Sequence, residues 1–277
     1  MSVNTSDWNS FSRTNAMEQW RRQSAMMGSN LTEALVRAAA PVPGMKVLDV
    51  ACGSGEPAIT IATQLEDAGQ VIGVDISEDP IKIARERAAS RGLSNIEFEK
   101  ADAQNLPYPD RTFDLLTSRL GLMFFGDIPM ALREFNRVLK PGARVAFACW
   151  GPMEQPYFDA TSGVILAQFP NATIPDAARK TFQFGNPGKL SALLRASGFH
   201  DVEEDFQTLP WVWHGTPEQF WEYFQAVTIP MRELIELGNE TERRERDLAV
   251  LSAVRQFYDG GKLDFTAIFN ITTATRD

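Results

Sequence analysis

Between residues 45 and 150, short apolar runs alternate with longer stretches of helical periodicity. Five of the runs have the length and composition of buried strands: Lys46–Ala51, Val71–Asp75, Ile96–Glu99, Phe113–Ser118 and Arg144–Trp150. The stretches between them place apolar side chains on one helical face: residues 57–66, residues 78–91, and a helix that carries Leu132, Phe135 and Leu139. Strands that alternate with helices in this way form a parallel sheet covered on both faces.

The alternation ends after Trp150, and the rest of the chain predicts inserts between the last strands. Residues 151–185 have the pattern of a loop with helical pieces, and residues 216–258 are helical again. Three further segments complete the pattern: a helix that begins at Asn186–Pro187, and strands at Val202–Trp213 and Phe265–Thr273. We therefore predict an α/β fold with a doubly wound, mostly parallel seven-stranded sheet and helical inserts that roof the site.

Six segments follow from this pattern. They are an N-terminal helical lid (1–44), a ligand-binding core (45–150), an insert (151–185), a continuation of the core (186–213), a helical cap (214–260) and the last core strand (261–277). We expect the lid, the insert and the cap to cover the carboxyl ends of the strands, because ligands of open α/β sheets bind there.

Composition and charge exclude several classes of protein. The net charge of −9 argues against a nucleic-acid partner, because such proteins present a basic face. Two cysteines give no disulfide framework, and the two histidines lack metal-ligand spacing, so we expect no metal. No apolar run approaches 18 residues, which predicts no membrane span. The beginning MSVNTSDWNS has neither the basic nor the apolar region of a signal peptide, so we expect a cytoplasmic protein.

The most informative segment joins the first strand to the helix after it. Val47–Val50 is apolar apart from Asp49, and Gly53 and Gly55 follow in a short turn before the helix. Glycines let the backbone approach a ligand, and the helix N-terminus offers free N–H groups to it. Asp75 ends the next strand, 20 residues after Gly55, where a carboxylate can accept hydrogen bonds from ribose hydroxyls.

This geometry alone leaves the nucleotide open. Residues 53–58 also fit the loose G-x-G-x-x-A fingerprint of dinucleotide-binding folds. Two acids favour a different ligand. Asp49 would repel a pyrophosphate but suits a cationic group, and Asp102 follows the third strand, where it suits an adenine amine. Structural roles also account for these acids, because Asp75 and Asp102 could cap a helix or a loop and Asp49 could cap the turn.

In order and spacing, these motifs resemble the class I S-adenosylmethionine-dependent methyltransferases, which have a Rossmann-like fold. The resemblance covers residues 30–150 well and 186–210 moderately, and it is closest to the ubiquinone/menaquinone-biosynthesis branch and its small-molecule relatives. It implies a cofactor site built from Asp49, Ala51, Cys52, Gly53, Gly55, Asp75, Ile76, Asp102, Ala103, Ser118 and Arg119. One position departs from the family pattern: Ala51 stands where its first glycine is, and we expect binding to survive with a slightly different turn.

The implied roles divide along the cofactor. Residues 49–55 would line the methionine end, with Ser118 and Arg119 near its amine. Asp75 would hold the ribose with Ile76 against the adenine, and Asp102 and Ala103 would hold the adenine edge. The resemblance predicts methyl transfer from S-adenosylmethionine to a small, apolar or aromatic molecule, with oxygen, carbon and nitrogen acceptors open. A nicotinamide-dependent oxidoreductase and a non-catalytic S-adenosylmethionine-binding protein are the alternatives, and homodimerisation is left open.

Aromatic residues supply the candidates for a substrate pocket. Trp20, Trp150 and Tyr157 are those that we expect nearest to the transferred methyl. A dedicated base is needed only for an acceptor that must lose a proton. We expect neither His200 nor His214 to be essential, and we assign a base, if one is used, to His214.

Overall fold

The computed structural model describes residues 19–277, so the first 18 residues of the predicted N-terminal lid lie outside the described residues. The strands form one sheet: β1 (Lys46–Val50), β2 (Gln70–Asp75), β3 (Ile96–Lys100), β4 (Phe113–Arg119), β5 (Leu139–Trp150), β6 (Phe199–His214) and β7 (Lys262–Arg276). Their order is β3-β2-β1-β4-β5-β7-β6. The first five pair in parallel, and β7 runs antiparallel to β5. The predicted fold class is confirmed.

The helices lie mostly between the strands, as the alternation predicts. They are α1 (Arg21–Met27), α2 (Ser29–Ala39), α3 (Ala58–Leu65), α4 (Glu78–Ser90), α5 (Ile128–Val138), α6 (Pro156–Phe158), α7 (Val164–Gln168), α8 (Asp176–Thr181), α9 (Lys189–Ala196), α10 (Pro217–Val227), α11 (Arg232–Ile235) and α12 (Glu240–Val254). A π-helical turn, Asp159–Gly163, joins α6 to α7. No helix among these residues is both long and apolar enough to cross a membrane.

Three of the boundaries that differ from the prediction have identifiable reasons. β1 ends at Val50 and not at Ala51, because Ala51 has a positive φ of 56° that leaves the extended region. β5 begins at Leu139, five residues before the prediction. The register with β4 shifts near its start, and Pro141 stands in that irregular part, where its missing N–H is tolerated. The helix predicted from Asn186–Pro187 begins at Lys189, after Gly188 with φ 89°.

The chain divides into two compact units, each with its own core. The first contains Pro152–Phe182, Thr208–Ile268 and the described residues before Leu31. Its core is aromatic: the ring of Tyr157 lies 5.5 Å from that of Phe265 and 6.2 Å from that of Phe220, measured between centroids.

The second unit contains Leu31–Gly151, Gln183–Gln207 and Phe269–Asp277, and therefore all of β1 to β5. Its core packs the sheet against α5 and α9 through fully buried side chains, among them Leu48, Phe113, Phe135, Phe147 and Leu190. The roles of lid, insert, cap and roof assigned to the other segments stay predictions.

Candidate active site

The turn between β1 and α3 lies where the strand order reverses. β1 pairs with β2 on one side and with β4 on the other, so the chain leaves the sheet here in opposite directions. In open α/β sheets this position forms a crevice at the carboxyl ends of the strands. The predicted residues Asp49, Gly53 and Asp75 meet at this edge.

Asp49 is fully buried and ties the turn to two neighbours. One carboxylate oxygen accepts a hydrogen bond from the Thr117 hydroxyl at 2.8 Å, and the other accepts from the Ala58 N–H at 3.3 Å. Ala58 is the first residue of α3, so the carboxylate stands at the positive end of that helix. Asp49 therefore does have the structural role that the sequence left open, which is to cap its own turn.

Burial raises the pKa of Asp49 to about 7, although both hydrogen bonds and the charge of Arg119 lower it. This acid favours folding most when protonated. Its contribution to the free energy of unfolding is therefore full below the normal pKa of 3.8 and is lost as the pH rises through 7. At neutral pH the buried, ionised carboxylate lowers the stability of the fold, and a cationic ligand group beside it would stabilise the ionised form.

Asp75, at the end of β2, holds the glycine turn. One carboxylate oxygen accepts from the Gly53 N–H at 2.9 Å, and the other accepts from the Ser77 N–H at the same distance. A carboxylate offers about four acceptor sites, so these bonds are compatible with a ribose beside it. A Cβ built on Gly53 would meet no atom within 4 Å. The turn therefore presents backbone to open space, as a cofactor cradle requires, and the residues present fit S-adenosylmethionine.

A salt bridge that the sequence prediction missed braces the same turn. Arg87, on α4, donates to the carbonyl oxygen of Ser54 at 2.5 Å and to the Glu56 carboxylate at 2.9 Å. Both charged side chains are only 13% exposed. On the sequence, Arg87 belongs to a charged helix face, and its partner is 31 residues away, so no local signal indicates the pair.

The candidate adenine residues lie on the neighbouring loops. The Asp102 carboxylate accepts from the Gln104 N–H at 2.9 Å, which is the loop-capping role that the sequence left open. Ala103 is buried, and Ile76, directly after Asp75, is 43% exposed. Cys52 is buried, and its N–H donates to the Val74 carbonyl at 3.0 Å. These positions stay compatible with the predicted roles, which remain predictions.

Ser118 and Arg119 are the last residues of β4, next to β1, so the strand runs one residue past its predicted end at Ser118. Ser118 is fully buried, and its hydroxyl has no hydrogen-bond partner among residues 19–277. An unsatisfied buried hydroxyl costs free energy, and a polar ligand atom would satisfy it.

The three substrate-pocket candidates are divided between the two units. Trp150 ends β5 in the second unit, and its ring stacks on Phe269 at 4.7 Å. Trp20 and Tyr157 belong to the first unit, where Trp20 packs on Trp213 at 5.5 Å and Tyr157 lies inside the aromatic core. Core packing accounts for the burial of Tyr157, so its role beside a substrate stays a prediction.

The two histidines belong to different units. His200, at the start of β6, contacts Asp201 at 2.9 Å and lies 3.8 Å from Asp277. Asp277 follows β7, whose end pairs with the beginning of β5, so His200 lies at the edge of the sheet opposite to the turn. His214 is exposed at the end of β6, in the first unit. Among residues 19–277 no group of three acids, histidines or cysteines could hold a metal ion.

A comparison with known protein families identifies the family of this chain. The profile of a family described as "Methyltransferase domain" matches residues 41–180, which include β1 to β5 and the turn. The chain belongs to the methyltransferase domain family. The resemblance drawn from the motifs is thus confirmed, and the comparisons give no support to a nicotinamide-dependent oxidoreductase.

Two curated relatives show different extents of similarity. The Ubiquinone/menaquinone biosynthesis C-methyltransferase UbiE of Teredinibacter turnerae is 44% identical over 104 residues, which are 37% of this chain and 42% of that protein. The Nocamycin O-methyltransferase of Saccharothrix syringae is 28% identical over 205 residues, 66% of this chain and 72% of that protein. The chain thus spans less than half the length of the first relative.

The solved structures support the fold. The structure of a SAM dependent methyltransferase from Aquifex aeolicus superimposes with a TM-score of 0.54 and 20% identity. It covers 71% of this chain and 91% of its own length. At this level of identity the likeness concerns the fold alone.

Proposed function

We propose that this protein transfers the methyl group of S-adenosylmethionine to a small molecule of the quinol type. The observation that carries the proposal is the group of Asp49, Gly53 and Asp75 at the switch point of the sheet, in a chain of the methyltransferase family. The same proposal includes a cytoplasmic location and no nucleic-acid partner, and it leaves homodimerisation open.

The residues around the turn would bind and orient the cofactor. When bound, S-adenosylmethionine supplies an already activated methyl group. Asp49 would face the cationic methionine end, Asp75 the ribose hydroxyls, and Asp102 the adenine amine. Fixed alignment of the acceptor with the methyl supplies much of the rate in such transfers, up to about 7–11 kcal/mol. A base is required only where the acceptor must lose a proton in the reaction.

The quinol class rests on the names of the relatives. The first relative is named for C-methylation in quinone biosynthesis and the second for O-methylation of nocamycin. A quinol ring offers both an oxygen and an electron-rich carbon, so it fits both kinds of transfer. We favour the quinol because the identity to the first relative is higher, 44% against 28% for the second.

Calorimetry and a labelled-methyl assay test the proposal together. We expect S-adenosylhomocysteine to bind to the purified protein and NAD not to bind. Labelled cofactor should then transfer its methyl to a demethylated quinol, with phenols and amines as comparison acceptors. Binding of the cofactor without transfer to any acceptor would favour the non-catalytic alternative, and binding of NAD alone would refute the cofactor assignment.

Replacing Asp75 should weaken cofactor binding without unfolding the protein. In Asp75→Ala the affinity for S-adenosylhomocysteine should fall by roughly 1–3 kcal/mol, the usual cost of losing hydrogen bonds to a charged partner. Asp79→Ala is a matched control, because Asp79 is an acid on α4 whose side chain is 42% exposed and whose partner is Lys82. Isothermal calorimetry of both variants decides the point, and equal affinities would remove Asp75 from the site.

The raised pKa of Asp49 predicts a pH-dependent affinity. Because a cationic methionine end favours the ionised carboxylate, affinity for S-adenosylhomocysteine should rise by up to about tenfold per pH unit from pH 5.5 to pH 7. Asp49→Asn should flatten the rise below pH 7, and Asp79→Asn should not. Identical profiles for Asp49→Asn and the unaltered protein would contradict the assignment.

A further inference from the structure

Gly121, two residues after β4, is a glycine that the backbone does not require. Its φ of −104° and ψ of −45° lie in the right-handed helical region, which every L-residue adopts. The reason for glycine is space. A Cβ built at this position would lie 2.4 Å from the Cβ of Ala51 and 2.9 Å from the Ser118 hydroxyl oxygen. Carbon atoms in contact normally lie about 3.5–4.0 Å apart.

Ala51 presents the opposite case. It begins the turn after β1 with a φ of 56°, in the left-handed region that favours glycine. The methyl of Ala51 points into the space that a side chain at position 121 would need. Ala51 therefore carries a methyl group although its backbone conformation favours glycine. Gly121 carries no side chain although its backbone conformation would accept one.

Neither Ala51 nor Gly121 can move away easily, because backbone hydrogen bonds hold the residue next to each of them. The Leu120 N–H, beside Gly121, donates to the Ala148 carbonyl of β5 at 2.8 Å. The Cys52 N–H, beside Ala51, donates to the Val74 carbonyl of β2 at 3.0 Å. Added volume between Ala51 and Gly121 would therefore displace the turn itself, including the Gly53 N–H that Asp75 holds.

We propose that Ala51 and Gly121 are a matched pair of positioning residues that sets the cofactor turn against the end of β4. The inference rests on the proposed function, because it concerns the S-adenosylmethionine site. Gly121 supplies no group to the ligand and acts only by leaving room for the Ala51 methyl. The Ser118 hydroxyl, the other near neighbour, is a single rotatable group and can turn aside.

A double-mutant cycle tests the pairing. Gly121→Ala should weaken S-adenosylhomocysteine binding about tenfold in the otherwise unaltered protein, within the range that overpacking produces. In the A51G background the same change should cost less than about twofold, because the opposing methyl is absent. The melting temperature of the ligand-free proteins should follow the same pattern. Gly261→Ala is the control, because a Cβ there would meet only Asp259 Oδ1, at 3.9 Å.

The outcomes are distinct. A cost that is at least about threefold larger with Ala51 than in the A51G background supports the pair, and a smaller difference overturns it. If the unaltered protein does not bind S-adenosylhomocysteine, the proposed function fails. The melting temperatures then decide the packing claim by themselves. If Gly121→Ala alone does not fold, folding of the A51G/G121A protein supports the pair and its failure to fold refutes it.

Discussion

Arg87→Met should be among the most destabilising single substitutions near the turn. It removes the main partner of the Glu56 carboxylate, which is 13% exposed, and the donor to the Ser54 carbonyl. Breaking a buried ion pair from one side costs about 3–5 kcal/mol, because the remaining charge stays buried. We expect about 3 kcal/mol here, since the Thr60 hydroxyl still donates to Glu56. Denaturant unfolding measures the loss.

Two further variants separate the pair from general effects. Arg91 also lies near Glu56, at 3.9 Å, but is 48% exposed, so Arg91→Met should cost less than about 1 kcal/mol. The double variant Arg87→Met, Glu56→Gln should recover part of the stability, because it buries no unpaired charge. A loss for Arg87→Met no larger than that for Arg91→Met would show that the pair does not brace the turn.

Much of the fold follows from the apolar pattern, because burial on both faces leaves a strong signal in parallel strands. The runs at β1 and β2 are almost continuously apolar, and the structure has both strands within one residue of the prediction. The start of β5 was less predictable. Leu139 pairs with Phe113 across a shift of register, and a shift of this kind depends on the partner strand and not on the local sequence.

The site was predictable where the backbone and side-chain features of one local segment indicate the same function. Two glycines after a strand, with an acid at the next strand end, indicate a cradle from local chemistry alone. Ser77 shows where prediction from local sequence fails. It stands at the N-cap position of α4, yet its side chain makes no capping hydrogen bond. Its hydroxyl is buried without a partner among the described residues. Whether a serine at this position caps the helix depends on the packing around it.

The contacts that position the turn come from distant parts of the chain and leave no local pattern. Thr117, which donates to Asp49, is 68 residues away, and Gly121 looks like an ordinary loop glycine until the Ala51 methyl is seen opposite it. The departure at Ala51 was visible in the sequence. Its compensation at Gly121 required the structure, because two strands bring the positions together.

The largest effect on cofactor binding is expected from Gly53→Val. A Cβ at this position meets nothing within 4 Å in the protein, so the valine side chain would extend into the open space that we assign to the ligand. We expect S-adenosylhomocysteine affinity to fall by more than about a hundredfold, beyond the loss of a single hydrogen bond. Methyl transfer should fall with it. Calorimetry and the labelled-methyl assay measure the two effects.

The main difficulty is that Gly53 has a φ of 52°, so any side chain there also strains the backbone. Gly92 provides the matched control, because its φ is 68° and a Cβ on it also meets nothing within 4 Å. It lies two residues after the end of α4, between that helix and β3. Gly92→Val should lose comparable stability and keep its cofactor affinity. If both variants lose affinity equally, backbone strain and not occupation of the cradle explains the result, and the open space beside Gly53 is not the ligand site.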